Sequence, residues 1–172
     1  RLQDAAGEVL LEETGQLDEM LLRAADTLER ITGTRPVGIR TPSWDFSPNT
    51  LAIEKEMGLL YDSSLMADED CYELLLDGVP TGIVELPVEW VRDDAVYFMM
   101  HRFQSLRPHT PPHEVLEIFR REFDAAYAEG GICQLTMHPH IIGYRSRIFI
   151  VEEIIRHAKA KGDVWFATHR DV

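Results

Sequence analysis

Apolar positions along this chain switch repeatedly between strand-like runs and helical spacing, which predicts strands and helices in alternation. From Gln16 to Ile31, Leu17, Met20, Leu21, Ala24, Leu28 and Ile31 recur at the spacing of one helix face, and Gly33 supplies a stop. A short strand over Val37–Arg40 follows. Ser47-Pro48 reads as an N-cap with proline at the first helical position, opening a helix that carries Leu51, Ile53 and Met57 and closes at Gly58. Leu59-Leu60-Tyr61 reads as another short strand, ending in Asp62-Ser63-Ser64. Residues 65–80 are polar and predict irregular chain. Ile83–Val88 predicts a strand with Pro87 at an edge or end. Arg92–Pro112 reads as a long excursion with a short helix near Phe98, and loops of that length tend to be functional. The clearest helix is Pro112–Ala128, striped by Val115, Leu116, Phe119, Phe123 and Ala126 and ended by Gly130-Gly131. Ile132–Met137 predicts a strand, Ser146–Lys161 a helix stopped by Gly162, and Val164–Thr168 a final strand.

Such alternation implies a parallel β/α arrangement with its chemistry at the C-terminal strand tips. Four predicted tips carry polar groups: Arg40, Asp62, His138 and His169. His138 is the most pointed of them, because Leu135-Thr136-Met137 delivers it to a turn at Pro139. No repeat, linker or low-complexity tract divides the chain, so residues 1–172 are expected to form one domain.

Composition narrows the partners. Hydrophobic residues make up 45% and charged residues 27%, as in an ordinary globular protein. The net charge of −13 argues against nucleic acid or an anionic membrane, both of which need clustered Lys and Arg. No apolar run approaches the roughly 20 residues of a membrane span. Cys71 and Cys133 fit no CxxC pattern; Cys133 reads as a small core residue, and the expected compartment is cytoplasmic. His109 and His113 have a chelating spacing, but Pro111-Pro112 between them prevents a regular helix. Met99-Met100-His101 reads as a buried turn or a dimer contact. No Gly-rich phosphate loop and no Ser or Cys nucleophile motif is present.

Several segments, in order, resemble the polysaccharide deacetylase family, most closely its branch of peptidoglycan deacetylase-like and allantoinase-like proteins. Gly38-Ile39-Arg40-Thr41-Pro42-Ser43-Trp44 looks like the family's Arg-x-Pro motif. Tyr61-Asp62-Ser63-Ser64, Glu85-Leu86-Pro87-Val88 with Asp93-Asp94, and Leu135-Thr136-Met137-His138-Pro139 with Gly143 and Arg147 follow in family order. Val164-Trp165-Phe166-Ala167-Thr168-His169 fits the family's ending. The resemblance implies an α/β fold, a distorted (β/α) barrel, here incomplete on its N-terminal side. The family's opening Asp-Asp strand and His-x-x-x-His segment, which supply the catalytic base and the metal ligands, have no counterpart here. The chain is therefore expected to be the C-terminal two-thirds of the domain.

The resemblance also implies hydrolysis of a carbon–nitrogen amide bond other than a peptide bond, with acetyl removed from an N-acetylated sugar by metal-activated water. The complete domain would hold a divalent metal, zinc by expectation, and this chain alone none. Amide hydrolysis needs an acid for the departing amine, kept as an imidazolium by a nearby carboxylate. His138 suits that role, with Asp94 or Asp93 holding its charge. Arg40, always charged, would orient a carboxylate in its fork. Trp44, Trp90, Pro42 and Pro139 are candidates for substrate contact. The plainer readings are a structural ion pair for Arg40, loop acids for Asp93 and Asp94, and rim aromatics for both tryptophans. Rival functions are hydrolysis of a small cyclic amide, as by an allantoinase, and a non-catalytic binding or assembly module. A small-molecule or sugar substrate and a homo-oligomeric state are expected.

Overall fold

The computed structural model describes residues 19–99, 101–102, 105–106 and 109–172, which fall into two compact units. The first contains the chain up to Leu65, Tyr72–Leu86 and His169–Val172; the second contains Met66–Cys71 and Pro87–Thr168. Among the described residues, no helix is long and apolar enough to cross a membrane.

The first unit is a four-stranded sheet with helices. Helix α1 covers 19–32, followed by β1 (Gly38–Ile39), α2 (Thr50–Met57), β2 (Tyr61–Asp62), β3 (Tyr72–Leu76) and β4 (Val79–Glu85). The strand order is β1-β2-β4-β3, with β1, β2 and β4 parallel and β3 antiparallel to β4. Helix α2 connects two parallel neighbours, as a crossover must. Its Leu51 packs with Leu74 of β3 and Ile83 of β4, ringed by Phe46, Leu65, Tyr72 and Leu76. Asn49 rather than Ser47 occupies the helix N-cap, while the Ser47 hydroxyl lies 2.8 Å from that of Thr50. At the β1–β2 pair the Tyr61 ring lies against Gly38, and any side chain at 38 would collide with it.

Two expectations fail in this unit. Residues 65–71 are irregular as expected, but 72–80 are not, because β3 and β4 form a hairpin there. Its signal was Asp77-Gly78: both residues take positive φ (52° and 78°), the backbone of a tight hairpin turn, and Leu74 alternates inward between Glu73 and Leu75. The α1 stripe is not buried either. Met20 and Ile31 are 68% and 72% exposed, and Ala25, off that stripe, is the buried position.

Three carboxyl groups lie sealed between α2 and the sheet. Glu54 projects from α2, while Asp62 and Glu85 are register partners on β2 and β4; all three are fully buried. Asp62 accepts the Ser64 amide at 2.8 Å and the Ser64 hydroxyl at 2.9 Å. Neither Glu54 oxygen has a hydrogen-bond partner; Glu85 Oε1 accepts the Leu65 amide at 2.8 Å and its Oε2 has no partner. A buried carboxylate without donors is costly, so Glu54 and Glu85 retain their protons. Burial, reinforced by Asp62, pushes Glu54 up to about 9 and Glu85 up to about 8.

The second unit is mainly helical: α3 (Asp94–Phe98), a two-residue ribbon of β5 (His101–Arg102) and β6 (Ser105–Leu106), α4 (Pro112–Glu129), α5 (Pro139–Ile142) and α6 (Phe149–Lys161). Val115, Leu116 and Phe119 of α4 form one core with Ile150 and Ile154 of α6, Ala95 and Phe98 of α3, and Ile141 and Ile142 of α5. Burying each larger side chain contributes roughly 2 kcal/mol, so α4 is held by its face rather than by propensity. Arg120 and Glu153 bridge α4 to α6 at 3.1 Å. The strand expected at 132–137 is an extended segment joined by a single parallel bridge, Asp93 to Thr136. The strand expected at 164–168 does not form, and Trp165 and Phe166 are exposed. An apolar run becomes a strand only where a neighbour takes its hydrogen bonds, and the described residues supply one bridge to the first segment and none to the second.

The acid cluster fixes a sign for pH dependence. Protonated Glu54 and Glu85 are favoured by the fold, so their stabilising effect is complete below the unfolded value near 4.5 and is lost as pH rises through 8 and 9. The melting temperature is expected to fall over that window, and Glu54→Gln to flatten the fall; an equally steep fall in the variant would contradict the protonated assignment.

Candidate active site

The second unit builds its site from three short segments. The Thr136 amide donates to the Arg92 carbonyl at 2.8 Å, and the Asp94 amide donates to the Thr136 carbonyl at 3.1 Å. That ladder sets Asp93 and Asp94 beside the segment that ends in His138. Asp93 Oδ1 then caps α3 by accepting the Ala95 amide at 2.6 Å. His138 occupies the N-cap of α5, where Pro139 at the first helical position turns the chain, and its carbonyl accepts the Ile141 and Ile142 amides.

Asp94 holds His138 twice. Its Oδ2 accepts the His138 backbone amide at 3.0 Å, and its Oδ1 lies 2.6 Å from the ring Nδ1. Asp93 Oδ1 is 3.8 Å from the same nitrogen, so Asp94 is the partner and Asp93 the helix cap. An ionised carboxylate only accepts, which assigns the ring proton to Nδ1 and leaves Nε2 to give or take a proton. Asp94 is fully buried while the imidazole is 37% exposed, as a proton-exchanging ring on a fixed support should be.

Asp93, Asp94 and His138 also lie close enough to one another to hold a metal ion. The geometry fits a hydrogen bond better. Two zinc ligands about 2.0–2.1 Å from the metal stand about 3.3 Å apart in a tetrahedral site. Nδ1 and Oδ1 here are 2.6 Å apart, and the other Asp94 oxygen and Asp93 Oδ1 already accept backbone amides. A metal would have to break that set.

The first unit positions Arg40 at the end of β1. Its Nε donates to the Ser63 carbonyl at 2.9 Å and its Nη2 to the Ser63 hydroxyl at 2.7 Å. The next amide, Thr41, donates to the Ser64 hydroxyl at 2.9 Å. The turn then takes Ser43 and Trp44 through positive φ of 57° and 58°, roughly 1 kcal/mol of strain each. Pro42 is exposed on this turn and Trp44 half-buried. His169 packs edge-on against Tyr61 with ring centroids 5.4 Å apart. Burial, helped by the Arg40 charge, lowers the His169 pKa.

The predicted site residues thus separate by unit. Asp93, Asp94, His138, Pro139 and Trp90 belong to the second, with Pro139 and Trp90 exposed; Arg40, Pro42 and Trp44 belong to the first. His140 lies 5.7 Å from His138, ring to ring. His109 and His113 pack on Phe98 and Phe149. Neither Cys71 nor Cys133 is in a disulfide, and burial pushes Cys133 up to about 11. Met100 of the Met-Met-His cluster lies outside the described residues. Ser63, Ser64, Glu54 and Glu85 were not singled out as site residues; Ser63 and Ser64 stand beside a predicted strand tip, which was the available signal.

Nitrogen-15 NMR of His138 is expected to show the Nδ1-protonated form among neutral rings, and Asp94→Asn to redistribute the proton. A neutral ring protonated at Nε2 would contradict the assignment.

No protein-family model matches the sequence. The chain is 25% identical over 185 aligned residues to the Helicobacter pylori peptidoglycan deacetylase, covering 91% of this chain and 62% of that protein. It is 30% identical over 92 residues to a peptidoglycan deacetylase-like protein of Gibberella zeae, covering 48% of this chain and 27% of that one. A Mycobacterium smegmatis crystal structure assigned as a polysaccharide deacetylase superposes with a TM-score of 0.82 at 33% identity, over 92% of this chain and 55% of that one. The crystal structure of Puue allantoinase superposes at 0.76 with 27% identity, over 91% of this chain and 51% of that one. The chain thus spans less than two-thirds of the length of these relatives. In sequence and in fold, this chain is similar to peptidoglycan and polysaccharide deacetylases and to an allantoinase.

Proposed function

We propose that the protein containing this chain hydrolyses a carbon–nitrogen amide bond and removes acetyl from an N-acetylated sugar, with His138 as the acid that protonates the departing amine. The observation that carries this reading is the 2.6 Å contact between His138 Nδ1 and a fully buried Asp94. Amines leave poorly as anions, so cleavage of the tetrahedral intermediate needs a proton at nitrogen as the C–N bond breaks. Nε2 of His138 would supply it. Asp94 orients the ring, fixes its tautomer and offsets the positive charge that the imidazolium carries.

Arg40 is permanently charged and held by Ser63. In this reading it orients the carboxylate that takes the proton from the attacking water. The divalent metal that belongs to the same reading, zinc by expectation, would be held elsewhere than on the hydrogen-bonded Asp93, Asp94 and His138. Trp44, Trp90, Pro42 and Pro139 are the proposed substrate-contact positions. The names of the Helicobacter pylori and Mycobacterium smegmatis relatives favour a glycan substrate, and the distorted (β/α) barrel goes with it. The allantoinase likeness favours a second reading, opening of a small cyclic amide by the same pair.

Acetate release from N-acetylglucosamine oligomers, measured beside ring opening of allantoin on the full-length protein, decides between the two. His138→Ala is expected to lower turnover on the true substrate at least about tenfold with little change in melting temperature. Unchanged turnover would remove His138 from the acid role, and no turnover on either compound would favour a binding module.

A further inference from the structure

The first unit devotes a buried scaffold to one half-buried cation. Arg40 Nε and Nη2 both donate to Ser63, to its carbonyl at 2.9 Å and its hydroxyl at 2.7 Å. Ser63 is itself fully buried. Its hydroxyl proton goes to the Leu86 carbonyl at 2.7 Å, and its amide donates to the Ile39 carbonyl at 3.1 Å. A hydroxyl has one proton, so committing it to Leu86 turns a lone pair toward Arg40. A guanidinium only donates, and it finds an acceptor already oriented. Ser63 therefore ties three parallel strands to one side chain: β1 through Ile39, β2 through its own position just beyond Asp62, and β4 through Leu86 just beyond Glu85.

Ser64 completes the arrangement from the same turn. Its hydroxyl donates to Asp62 Oδ2 at 2.9 Å and accepts the Thr41 amide at 2.9 Å, fixing the backbone immediately after Arg40. A surface arginine used only for an ion pair would need none of this.

We propose that Ser63 is the positioning residue for Arg40, setting the plane of its guanidinium for its work on a carboxylate, a role that rests on the deacetylase reading above. Ser63 touches no substrate in this proposal and acts through Arg40 alone. A lysine at 40 cannot replace the two-point hold, because it lacks the Nε–Nη2 edge.

The test uses the full-length protein and reads the side chain directly. Rotation of the Arg40 guanidinium about its Nε–Cζ bond is measured by NMR, with the signal identified by its loss in Arg40→Lys. Ser63→Ala is expected to speed that rotation at least about tenfold, the scale of one hydrogen bond to a charged group, while a cooperative melt is retained. If that variant does not fold, Ser63→Cys serves, since a thiol nearly matches the size but accepts weakly. Unchanged rotation in a folded variant would overturn the proposal. For acetate release from N-acetylglucosamine oligomers, Ser63→Ala is expected to lower kcat/KM about tenfold, and Arg40→Lys with Ser63→Ala together to be no slower than Arg40→Lys alone. Additive losses would also overturn it. Faster rotation in Ser63→Ala combined with full turnover in Arg40→Lys would instead remove Arg40 from the chemistry, so failure of the underlying reading is separable from failure of the positioning.

Discussion

A buried carboxylate that grips the backbone and the side chain of the same residue is a strong constraint on that residue. Asp94 does this to His138: one oxygen takes the amide at 3.0 Å and the other meets the ring nitrogen at 2.6 Å. Because the backbone is held as well, the imidazole cannot drift from its carboxylate without breaking a second bond. The rest of the second unit serves that grip. Asp93 caps α3, the Thr136 bridge fixes the height of Asp94 along the neighbouring segment, and Pro139 turns the chain so that His138 ends a segment rather than continuing it. Ala95 and Phe98 anchor α3 in the same apolar core that buries α4 and α6. The hold on His138 therefore rests on packing several residues away.

The first unit reaches a similar end by other means. Its polar interior contains three buried acids and, among the described residues, no cation acting on Glu54 or Glu85, an arrangement that protons make tolerable. Asp62 accepts the amide and hydroxyl of Ser64, whose hydroxyl in turn accepts the Thr41 amide, so the turn beyond Arg40 is fixed from the buried side. The positive φ angles at Ser43 and Trp44 lie directly after this rigid stretch, where strain can be sustained.

Much of this was legible in the residues, for identifiable reasons. His138 was visible because an apolar run ending at His-Pro is a local signal, and the Asp93-Asp94 pair was visible as a candidate partner. Which aspartate does the work was not, since that depends on one residue of register between the 92–94 segment and Thr136. The parallel order of β1, β2 and β4 followed from alternation, whereas β3 was missed because its turn signal, Asp77-Gly78, was read as loop composition. The run at 164–168 has strand-forming residues and no partner to pair with among those described, a fact that no local pattern carries. Nothing local marks Glu54 as buried, since the acids beside it, Asp62 and Glu85, come from two separate strands. Ser63 and Ser64 stood in plain view beside a strand tip, but hydroxyl direction is a property of neighbours.

The central claim is that His138 delivers a proton to the leaving nitrogen, and a leaving-group comparison tests it most directly. Turnover of the full-length protein and of His138→Ala would be measured on an N-acetyl amino sugar and on an aryl acetate, whose phenolate departs without protonation. A large loss on the amide with the ester rate nearly retained is the result this account predicts. Equal losses on both would contradict it, because a residue that only shapes the site or binds substrate has no reason to distinguish the two leaving groups.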